Sequence, residues 1–421
     1  MNKSPSATLA AYSRHGGESV SRRGNARLEA HSHVIPGLRI AVHDDLASVE
    51  PAWRALEPDA DCTVFQNFDY LSAWLRNVGP HQNATPAIVS IEGPKGTLAI
   101  IPLAVTGRSL RRLAWMGQDL CDYLGPLLAR NFASWVPTSR FPALWRETLA
   151  FLRRDPRKRY GLIELRKMSL AVGTQANPFA TLPYSLHPSE AYVATLQSSW
   201  AAFYDSRRSA KARRQDRSKL KRLTEIGDVR LVSPDHSKAA HVLQTLFAQK
   251  SETFARKGIS DVFGRSGYRE FFLDLVSNPR TREFTHLSEL RVGESAAAVS
   301  FGLEYRDRYL LCLISYDDAF SRFSPGAIHL NELLRRAIER GLHEFDFLVG
   351  LQRLKREWAD RRMPLCDHIE AATLAGRAIA SSLRGLSAAK RGIKGSPALW
   401  EAYLRLRTLA ARPSARLRDD R

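Results

Sequence analysis

Residues 283–358 read EFTHLSELRVGESAAAVSFGLEYRDRYLLCLISYDDAFSRFSPGAIHLNELLRRAIERGLHEFDFLVGLQRLKREW, and this stretch decides the fold. Three apolar runs come first, and the polar breaks RVGES and YRDR between them predict an antiparallel meander of three strands. From Ala327 to Gly341 the apolar residues recur at helical spacing, and a further short strand, HEFDFLVG, follows. This order predicts an α/β (α+β) domain, in which the last strand returns to the same sheet by a right-handed crossover.

The loop YDDAFSRFSPG ends where the predicted helix begins. The first N–H groups of a helix have no partner within it, and they carry the positive end of the helix dipole. A Ser-Pro-Gly turn lets these amides approach an anion closely, and phosphate is a frequent ligand of such helix starts. Arg322 is placed to add a charge-assisted contact. The same tripeptide is also common at helix starts that bind no ligand, where Ser324 would simply be the N-cap. By itself it therefore does not decide whether phosphate binds.

The whole arrangement resembles the GNAT-superfamily acetyltransferases of the cellulose-biosynthesis (CelD/BcsL) type, which are relatives of the FemAB-like aminoacyl transferases. The resemblance rests on the loop, on the helix LNELLRRAIERGL and on EFDFLVGLQRLKREW at residues 344–358. The family's last segment usually reads D…G…Y-K…W, and Leu354 replaces its tyrosine here. The residues that stand in register with this pattern are Asp346, Gly350, Lys355 and Trp358. The resemblance is strong over residues 192–372 and weaker over 38–182.

The resemblance implies a GNAT fold in which the loop and the helix start hold the pyrophosphate of the cosubstrate, acetyl-CoA or another acyl-CoA. GNAT folds splay two central strands so that backbone amides bind pantetheine, and here these strands are RYLLCLIS and HEFDF. The implied cofactor-binding residues are Arg322, Ser324, Gly326 and Ala327 around the helix start, with Leu313 and Ile314 in the strand before the loop.

Acyl transfer from a thioester to an amine needs a base for the amine proton, a dipole for the carbonyl and a donor to the leaving thiolate. Asp346 lies within an apolar strand, where a buried carboxylate is a base or a satisfied structural group, and the resemblance favours the base. Lys355 is predicted on a short helix, where it could hold a phosphate or the acceptor, or lie on the surface. Tyr316, at the start of the loop, completes the predicted catalytic set. Trp358 is predicted to be a packing residue, and His329 could face the site.

The composition is that of a globular protein, because the 421 residues suffice for two or three domains and 44% of them are hydrophobic. Four scattered cysteines without CxxC pairs argue against a metal site or a disulfide framework. The sequence has no Walker loop and no Rossmann fingerprint. The sequence contains no run of about 18 apolar residues, so it predicts no membrane span. It also has no apolar segment near its start, so it predicts no secretory signal. We therefore expect a cytoplasmic protein, which could lie peripherally at the inner face of the membrane.

The formal net charge of +20 favours anionic partners: an acyl-CoA, a polyanion or an anionic membrane surface. The densest basic stretch is RRSAKARRQDRSKLKR at residues 207–222, which has nine Lys and Arg residues, one acid and no helix breaker. Three interpretations stay open for this basic helix. It could present a solvated or polyanion-facing surface, it could contact the CoA 3′-phosphate or membrane lipid, or it could bind tRNA through phosphate contacts.

The predicted elements of the first half repeat the order of the second half, and the resemblance implies a tandem pair of GNAT-like domains. Each would be a mixed, mostly antiparallel sheet flanked by helices, and the first lacks a Ser-Pro-Gly helix start. Two segment ends in the first half, 65–67 and 119–123, could shape an acceptor pocket or simply pack. The predicted divisions are a disordered leader (1–36), an N-terminal GNAT-like domain (37–186), a C-terminal GNAT acyltransferase domain (187–375) and a basic helical tail (376–421).

Three hypotheses about function follow. The first is an acyl-CoA-dependent N- or O-acyltransferase that acts on a polysaccharide- or envelope-related acceptor, such as a glycan, a peptide or a lipid-linked precursor. The second is a FemAB-like aminoacyl transferase that uses charged tRNA. The third is a catalytically silent GNAT-like scaffold in exopolysaccharide synthesis, which the leucine at position 354 keeps open. Fold alone does not choose among them.

Overall fold

A computed structural model gives the structure of the protein and describes residues 28–350, 353–396 and 398–403. The strands of the first half are β1 (Leu28–His31), β2 (Arg39–His43), β3 (Thr85–Pro86), β4 (Ile88–Gly93), β5 (Gly96–Ile101), β6 (Leu103–Thr106), β7 (Arg112–Trp115), β8 (Leu127–Leu128), β9 (Leu162–Ser169), β10 (Ala171–Val172), β11 (Gln175–Ala176) and β12 (Ser185–Leu186). Its helices are α1 (Glu50–Leu56), α2 (Phe68–Asn77), α3 (Phe132–Trp135) and α4 (Phe141–Leu152).

The second half has longer elements. Its strands are β13 (Ala191–Thr195), β14 (Val229–Val232), β15 (Thr285–Val292), β16 (Ser295–Tyr305), β17 (Arg308–Tyr316), β18 (Glu344–Val349), β19 (Arg361–Met363) and β20 (Leu365–Ala371). Its helices are α5 (Trp200–Arg207), α6 (Ala210–Thr224), α7 (Ala239–Arg256), α8 (Tyr268–Ser277), α9 (Pro279–Arg282), α10 (Pro325–Glu339), α11 (Arg353–Trp358) and α12 (Leu374–Gly395).

The strands form mixed, mostly antiparallel sheets that helices flank, which confirms the predicted fold class. The largest sheet has the order β14-β15-β16-β17-β18-β13-β19, and only the β17–β18 pair within it is parallel. A second sheet has the order β12-β20-β9-β7-β6-β3, with one parallel pair, β7–β9. A third has the order β1-β2-β4-β5-β8. The predicted meander is confirmed as β15–β17, and α10 begins two residues before the predicted start.

One strand of the second half joins the six-stranded sheet. β20 follows the strands of the seven-stranded sheet in sequence, yet it pairs with β9 and β12 of the six-stranded sheet. β13 is the first strand of the second half, and it pairs with both β18 and β19. Consequently β20 borders the parallel pair of the first half, and β13 borders the parallel pair of the second half. The predicted division at residues 186/187 stays a prediction, and β20 lies across it in space.

The predicted leader and tail differ in part from the structure. Residues 28–31, which the prediction assigns to a disordered leader, form β1, because they pair with β2 over four positions. Residues 1–27 lie outside the described residues. The predicted helical tail begins within α12, and residues 404–421 also lie outside the described part of the chain.

Helices cover both faces of the seven-stranded sheet. On one face α10 and α5 pack against the sheet through a buried apolar cluster that includes Leu334, Phe345 and Phe347. In this cluster Trp358 stacks on Phe203 with ring centroids 5.8 Å apart, which confirms its predicted packing role. On the other face α7 and α8 pack against the sheet, and the first half of the chain closes this side. Among the described residues, no helix combines the length and the apolar character that crossing a membrane requires.

Candidate functional site

The parallel strands β17 and β18 separate after a short contact. They are in register from Arg308 opposite Glu344 to Leu310 opposite Asp346, and the pairing ends there. Just beyond this point β17 has a bulge at Cys312, since Leu311 and Leu313 pair with consecutive residues of β16. The bulge bends β17 away from β18, so its backbone N–H and C=O groups no longer meet β18. The predicted splay between RYLLCLIS and HEFDF therefore exists in the structure.

β18 carries a matching irregularity. Leu348 has φ +58°, a left-handed conformation that is costly for a leucine. It lies at a bulge where two residues of β18 face one residue of β13. The N–H of Leu348 donates to a carboxylate oxygen of Asp346 at 2.8 Å, which stabilises the turn of the strand. The strain thus lies at the edge of the opening between the two strands.

The opening leads to the start of α10. After β17 the chain forms a 3-10 helix over Asp318–Phe323, and Ser324 adopts a left-handed conformation with φ +56°. The Ser324 side chain does not cap the helix, although the residue holds the N-cap position. The N–H of Ala327 donates to the Ser324 carbonyl at 2.9 Å. A Cβ added at Gly326 would meet only Tyr316 Cδ1, at 3.6 Å, so this part of the helix start is open.

Two guanidinium groups lie beside this helix start. Arg322 is exposed and lies 4.6 Å from the centroid of the Phe323 ring. Arg222, at the end of the basic helix α6, lies 5.4 Å from the same centroid and donates to the Arg322 carbonyl at 3.1 Å. An aromatic ring attracts a cation that lies over its face, so Phe323 helps to hold both guanidinium groups in place. The helix dipole and two arginines therefore make this end of β17 an anion-attracting surface.

Asp346 is fully buried at the other end of the opening, where β17 and β18 begin to separate. Its carboxylate accepts hydrogen bonds from the Tyr123 hydroxyl at 2.8 and 2.9 Å, and Arg308 Nη1 lies 3.3 Å away. Burial raises the pKa of Asp346 from 3.8 to about 6, although Arg308 and the hydrogen bonds to Leu348 and Tyr123 oppose this rise. A carboxylate with this pKa is suited to accept a proton near neutral pH.

Tyr123 comes from the first half of the chain, and the residues before it also contact β18. Asp122 accepts a hydrogen bond from the Val349 N–H at 3.2 Å. Lys167 holds this loop from behind, donating from Nζ to the Cys121 carbonyl at 2.9 Å. Lys355, on α11, donates from Nζ to the Val349 carbonyl at 3.0 Å, and burial lowers its pKa. The two halves of the chain thus meet at the end of the strand opening.

The predicted site residues fall into two groups. Asp346 and Lys355 lie where β17 and β18 begin to separate. The other group surrounds the start of α10 and comprises Tyr316, Arg322, Ser324, Gly326 and Ala327. Leu313 and Ile314 lie on β17 between the groups and are half-buried. Tyr316 lies six positions along β17 from Leu310, the residue that pairs with Asp346, which is a distance of roughly 20 Å along the strand. The structure therefore places Tyr316 at the anion-attracting end.

His329 lies away from both groups. It is fully buried on α10, and its Nε2 atom lies 2.8 Å from the Ser288 hydroxyl on β15. Burial lowers its pKa to about 3, so it is neutral at physiological pH. The histidine therefore belongs to the packing between α10 and the sheet.

Two cavities flank the site. The larger, about 480 Å³, lies between the two halves of the chain, and Tyr123, Arg308 and Leu310 line its inner end. A smaller cavity of about 200 Å³ lies where β7 and β9 separate in the first half. The sequence predicts the segment 119–123, which ends at Tyr123, as a possible pocket wall, but it predicts neither the contact of Tyr123 with Asp346 nor the place of Arg308. A contact over 223 positions of sequence leaves no local signal.

Comparisons with known proteins agree with this geometry. Residues 210–356 match a family model described as an acetyltransferase (GNAT) domain. The match contains β14–β18, α10 and most of α11, and hence both groups of site residues. Residues 210–356 are therefore similar to GNAT-type acetyltransferase domains, and the enzyme class that they support is that of an acyltransferase. No curated protein matches the chain.

Solved structures resemble the fold over most of the chain. The crystal structure of FemX has a TM-score of 0.52 at 9% identity, and the likeness covers 78% of this chain and 96% of that one. The C-terminal domain of a putative lysylphosphatidylglycerol synthetase from Agrobacterium fabrum reaches a TM-score of 0.49 at 12% identity, with 80% and 96% covered. A tandem GNAT protein from the clavulanic acid biosynthesis pathway reaches 0.42 at 10% identity, with 80% and 99% covered. Of these three, only FemX has a TM-score above 0.5, and at 9% identity this likeness shows the fold alone.

Proposed function

We propose that the chain is an acyl-CoA-dependent N- or O-acyltransferase of the cellulose-biosynthesis (CelD/BcsL) type that acts on a polysaccharide- or envelope-related acceptor. One observation carries the proposal: the opening between β17 and β18 runs from an open, anion-attracting helix start to a buried carboxylate. An acyl-CoA has a pyrophosphate and a thioester that are joined by an extended pantetheine arm. The two ends of the opening match these two chemical groups in character.

The binding end uses backbone and cations. The N–H of Gly326 and the arginines Arg322 and Arg222 would hold the pyrophosphate, because helix amides and guanidinium groups are strong donors to phosphate oxygens. The Ala327 N–H already donates to Ser324, so Ala327 contributes through its position rather than as a free donor. Backbone groups of Leu313 and Ile314 would bind the pantetheine amides, since β17 has left its parallel partner there.

The reacting end uses buried titratable groups. Asp346 would act as the base that removes the acceptor proton. Lys355 lies beside Val349 and would place positive charge near the departing thiolate. Tyr316 would line the pyrophosphate end, because its ring lies next to Gly326 and about six strand residues from Asp346. When an acyl-CoA is bound, its thioester supplies the activated carbonyl, and these residues position it and move the proton.

A second candidate is aminoacyl transfer from charged tRNA, and the basic helix α6 favours it. Lys211, Arg214, Arg217 and Lys221 are exposed on α6, which ends at the proposed pyrophosphate site. Such a face could bind the phosphates of tRNA or of another polyanion, or an anionic membrane surface. Acyl-CoA remains the first candidate because the opening between β17 and β18 offers a place for a pantetheine arm.

The test is binding of acetyl-CoA by calorimetry to the wild type, Gly326→Glu and Gly326→Ala. The glutamate would place a carboxylate against the pyrophosphate, and we expect affinity to fall by at least about 100-fold. The alanine adds a Cβ only 3.6 Å from Tyr316 Cδ1, an ordinary contact, so it should bind nearly as the wild type does. Absence of acyl-CoA binding by the wild type, together with binding of charged tRNA, would replace the first candidate with the second.

A further inference from the structure

The cavity between the two halves of the chain opens at the opposite end of β17 from Gly326. Its volume is about 480 Å³, within the range of small-molecule sites. Gln66 and Gly125 of the first half and Tyr305 and Glu344 of the second half are among its lining residues. Since neither half closes the cavity alone, its shape depends on the assembled pair of sheets.

The arginines around this cavity make contacts within the protein. Glu344 forms ion pairs with both Arg308 and Arg361. Arg306 donates to the carbonyls of Glu57 and Ala60, at 3.0 and 2.8 Å. Two of these arginines are therefore paired with a carboxylate, and the third is held by backbone carbonyls. A cavity of this kind favours a neutral ligand with many hydrogen-bonding groups over a strongly charged one.

The remaining walls are aromatic or apolar. Tyr123 and Tyr305 line the cavity together with Leu310, Val172 and Met363. Flat apolar surfaces beside fixed polar edges suit a ligand with an apolar face and a rim of hydroxyl groups. A sugar ring has this character, and the volume accommodates one or two rings. The wall chemistry thus selects a polyhydroxylated, ring-sized molecule.

Tyr123 connects the cavity to the buried carboxylate. Its ring lines the cavity, and its hydroxyl donates to both oxygens of Asp346. Asp346 itself is fully buried and does not line the cavity, so a ligand there would reach the carboxylate through Tyr123. Burial and the nearby Asp346 charge raise the pKa of Tyr123 well above its ordinary value, so the hydroxyl stays protonated. Tyr123 can therefore pass a proton to Asp346, but it does not remain as a phenolate.

We propose that this cavity is the acceptor site, that it takes a neutral glycosyl ring with a free hydroxyl, and that Tyr123 relays the acceptor proton to Asp346. This inference rests on the proposed acyltransferase function. The acceptor oxygen forms a bond to the thioester carbonyl carbon, and the carbon–sulfur bond breaks. The acceptor proton goes to the Tyr123 oxygen as the Tyr123 proton goes to Asp346. Asp346 later releases that proton to water, and the departing thiolate takes one up, so an ester and a thiol result.

Binding is tested first, by ligand-observed NMR with a panel of neutral mono- and disaccharides at millimolar concentration, with acetyl-CoA present. Gly125→Trp should abolish saturation transfer to the sugars, because Gly125 lines the cavity and an added Cβ meets nothing within 4 Å. Gly385→Trp is the matched control, since its Cβ also enters open space, on α12. Calorimetry should show that both variants bind acetyl-CoA as the wild type does.

The relay is tested with the sugar that binds best. Tyr123→Phe should lower kcat by about 100-fold and leave KM for the sugar and the affinity for acetyl-CoA nearly unchanged. Tyr123→Phe should also remove the rise of the wild-type rate with pH at about pH 6, because this rise reports the deprotonation of Asp346. Circular dichroism of Tyr123→Phe checks that the fold is retained.

Three results would overturn the inference: no sugar binds, Gly125→Trp binds sugar as well as Gly385→Trp does, or Tyr123→Phe keeps the wild-type kcat. Each of these leaves the proposed function standing if acetyl-CoA still binds and Gly326→Glu abolishes that binding. Loss of acetyl-CoA binding by the wild type would instead remove the proposed function itself. The two failures are therefore distinguishable in one set of experiments.

Discussion

The protein contains two parallel strand pairs that differ in what fills the space between their strands. β7 and β9 are in register over three positions and then separate, as β17 and β18 do. Both second strands have a non-glycine residue in a left-handed conformation at a bulge, Lys167 in β9 and Leu348 in β18. The backbone device is thus the same in both halves.

Both second strands carry a carboxylate at the third paired position, Glu164 opposite Ala114 and Asp346 opposite Leu310, but the surroundings of the two carboxylates differ. In the first pair Glu164 binds Arg112 at 3.0 Å and Arg166 at 2.7 Å, and these charged groups line the smaller cavity. In the second pair the corresponding space begins at the half-buried Cys312 and continues past apolar residues to an open helix start. The same backbone arrangement is thus filled by charged side chains in the first half and left open in the second half, which is where we propose that the acyl-CoA binds.

Removing the strand that joins the two halves, β20, should have the largest effect. A chain that ends at Met363 lacks β20 and α12, so β9 loses the strand that borders it. Because β20 is buried at Leu365, Cys366 and Ile369, we expect no folded protein. Solubility and far-UV circular dichroism measure this. A chain that ends at residue 403 keeps β20 and α12 and is the control. A folded, acetyl-CoA-binding product of the shorter chain would contradict the interpretation.

A further carboxylate in the second pair should abolish cosubstrate binding. Cys312→Glu would place this carboxylate beyond Asp346, in the space between β17 and β18. We expect acetyl-CoA affinity to fall by more than about 100-fold, because a pantetheine arm cannot pair with a buried carboxylate. Cys312→Ser has nearly the same size and no charge, so it should bind nearly normally. Equal affinities of the two variants in calorimetry would contradict the assignment of this space.

The carboxylate of the second pair should make stability depend on pH. Burial raises the pKa of Asp346 from 3.8 to about 6, so the folded state favours the protonated form. Stability from this group is therefore present below about pH 4 and is lost as the pH rises through about 6. The wild type should lose on the order of 3 kcal/mol relative to Asp346→Asn across this window. Urea denaturation of both proteins measures the difference, and parallel pH curves would be the contrary result.

Removing the charge of the first pair should have the smallest effect. Glu164→Gln deprives Arg112 and Arg166 of their shared carboxylate, and both arginines are at least 32% exposed. Because water screens such pairs, the free energy of unfolding should fall by about 1 kcal/mol. Acetyl-CoA affinity should not change, since the proposed acyl-CoA site lies in the second pair. A clear loss of affinity would show that the first pair takes part in binding.

The sequence predicts the local elements of the site well. The apolar runs and turn residues of 283–358 predict the meander, α10 and the last strand, because these depend on neighbours in sequence. Lys355 on a short helix and the buried Trp358 also agree with the structure. The implied roles of Asp346, Tyr316 and the helix-start residues remain predictions that the experiments above test.

Other features could not be predicted, for physical reasons. Leu348 adopts a left-handed conformation, which leucine disfavours and which only its bulge against β13 imposes. β20 has the pattern of any short strand, and nothing in its local sequence assigns it to the six-stranded sheet that contains β9. The hydrogen bond from Tyr123 to Asp346 depends on how the two halves pack. Long-range packing therefore decides the parts of the site that pattern and propensity leave open.

The most direct test of the central claim is a crystal structure of the protein with acetyl-CoA. We predict one molecule per chain, with its pyrophosphate within hydrogen-bonding distance of the Gly326 N–H and its thioester beside Cys312. Density for the pyrophosphate in the cavity lined by Arg112 and Arg166, between β7 and β9, would contradict the account and move the binding site to the first pair.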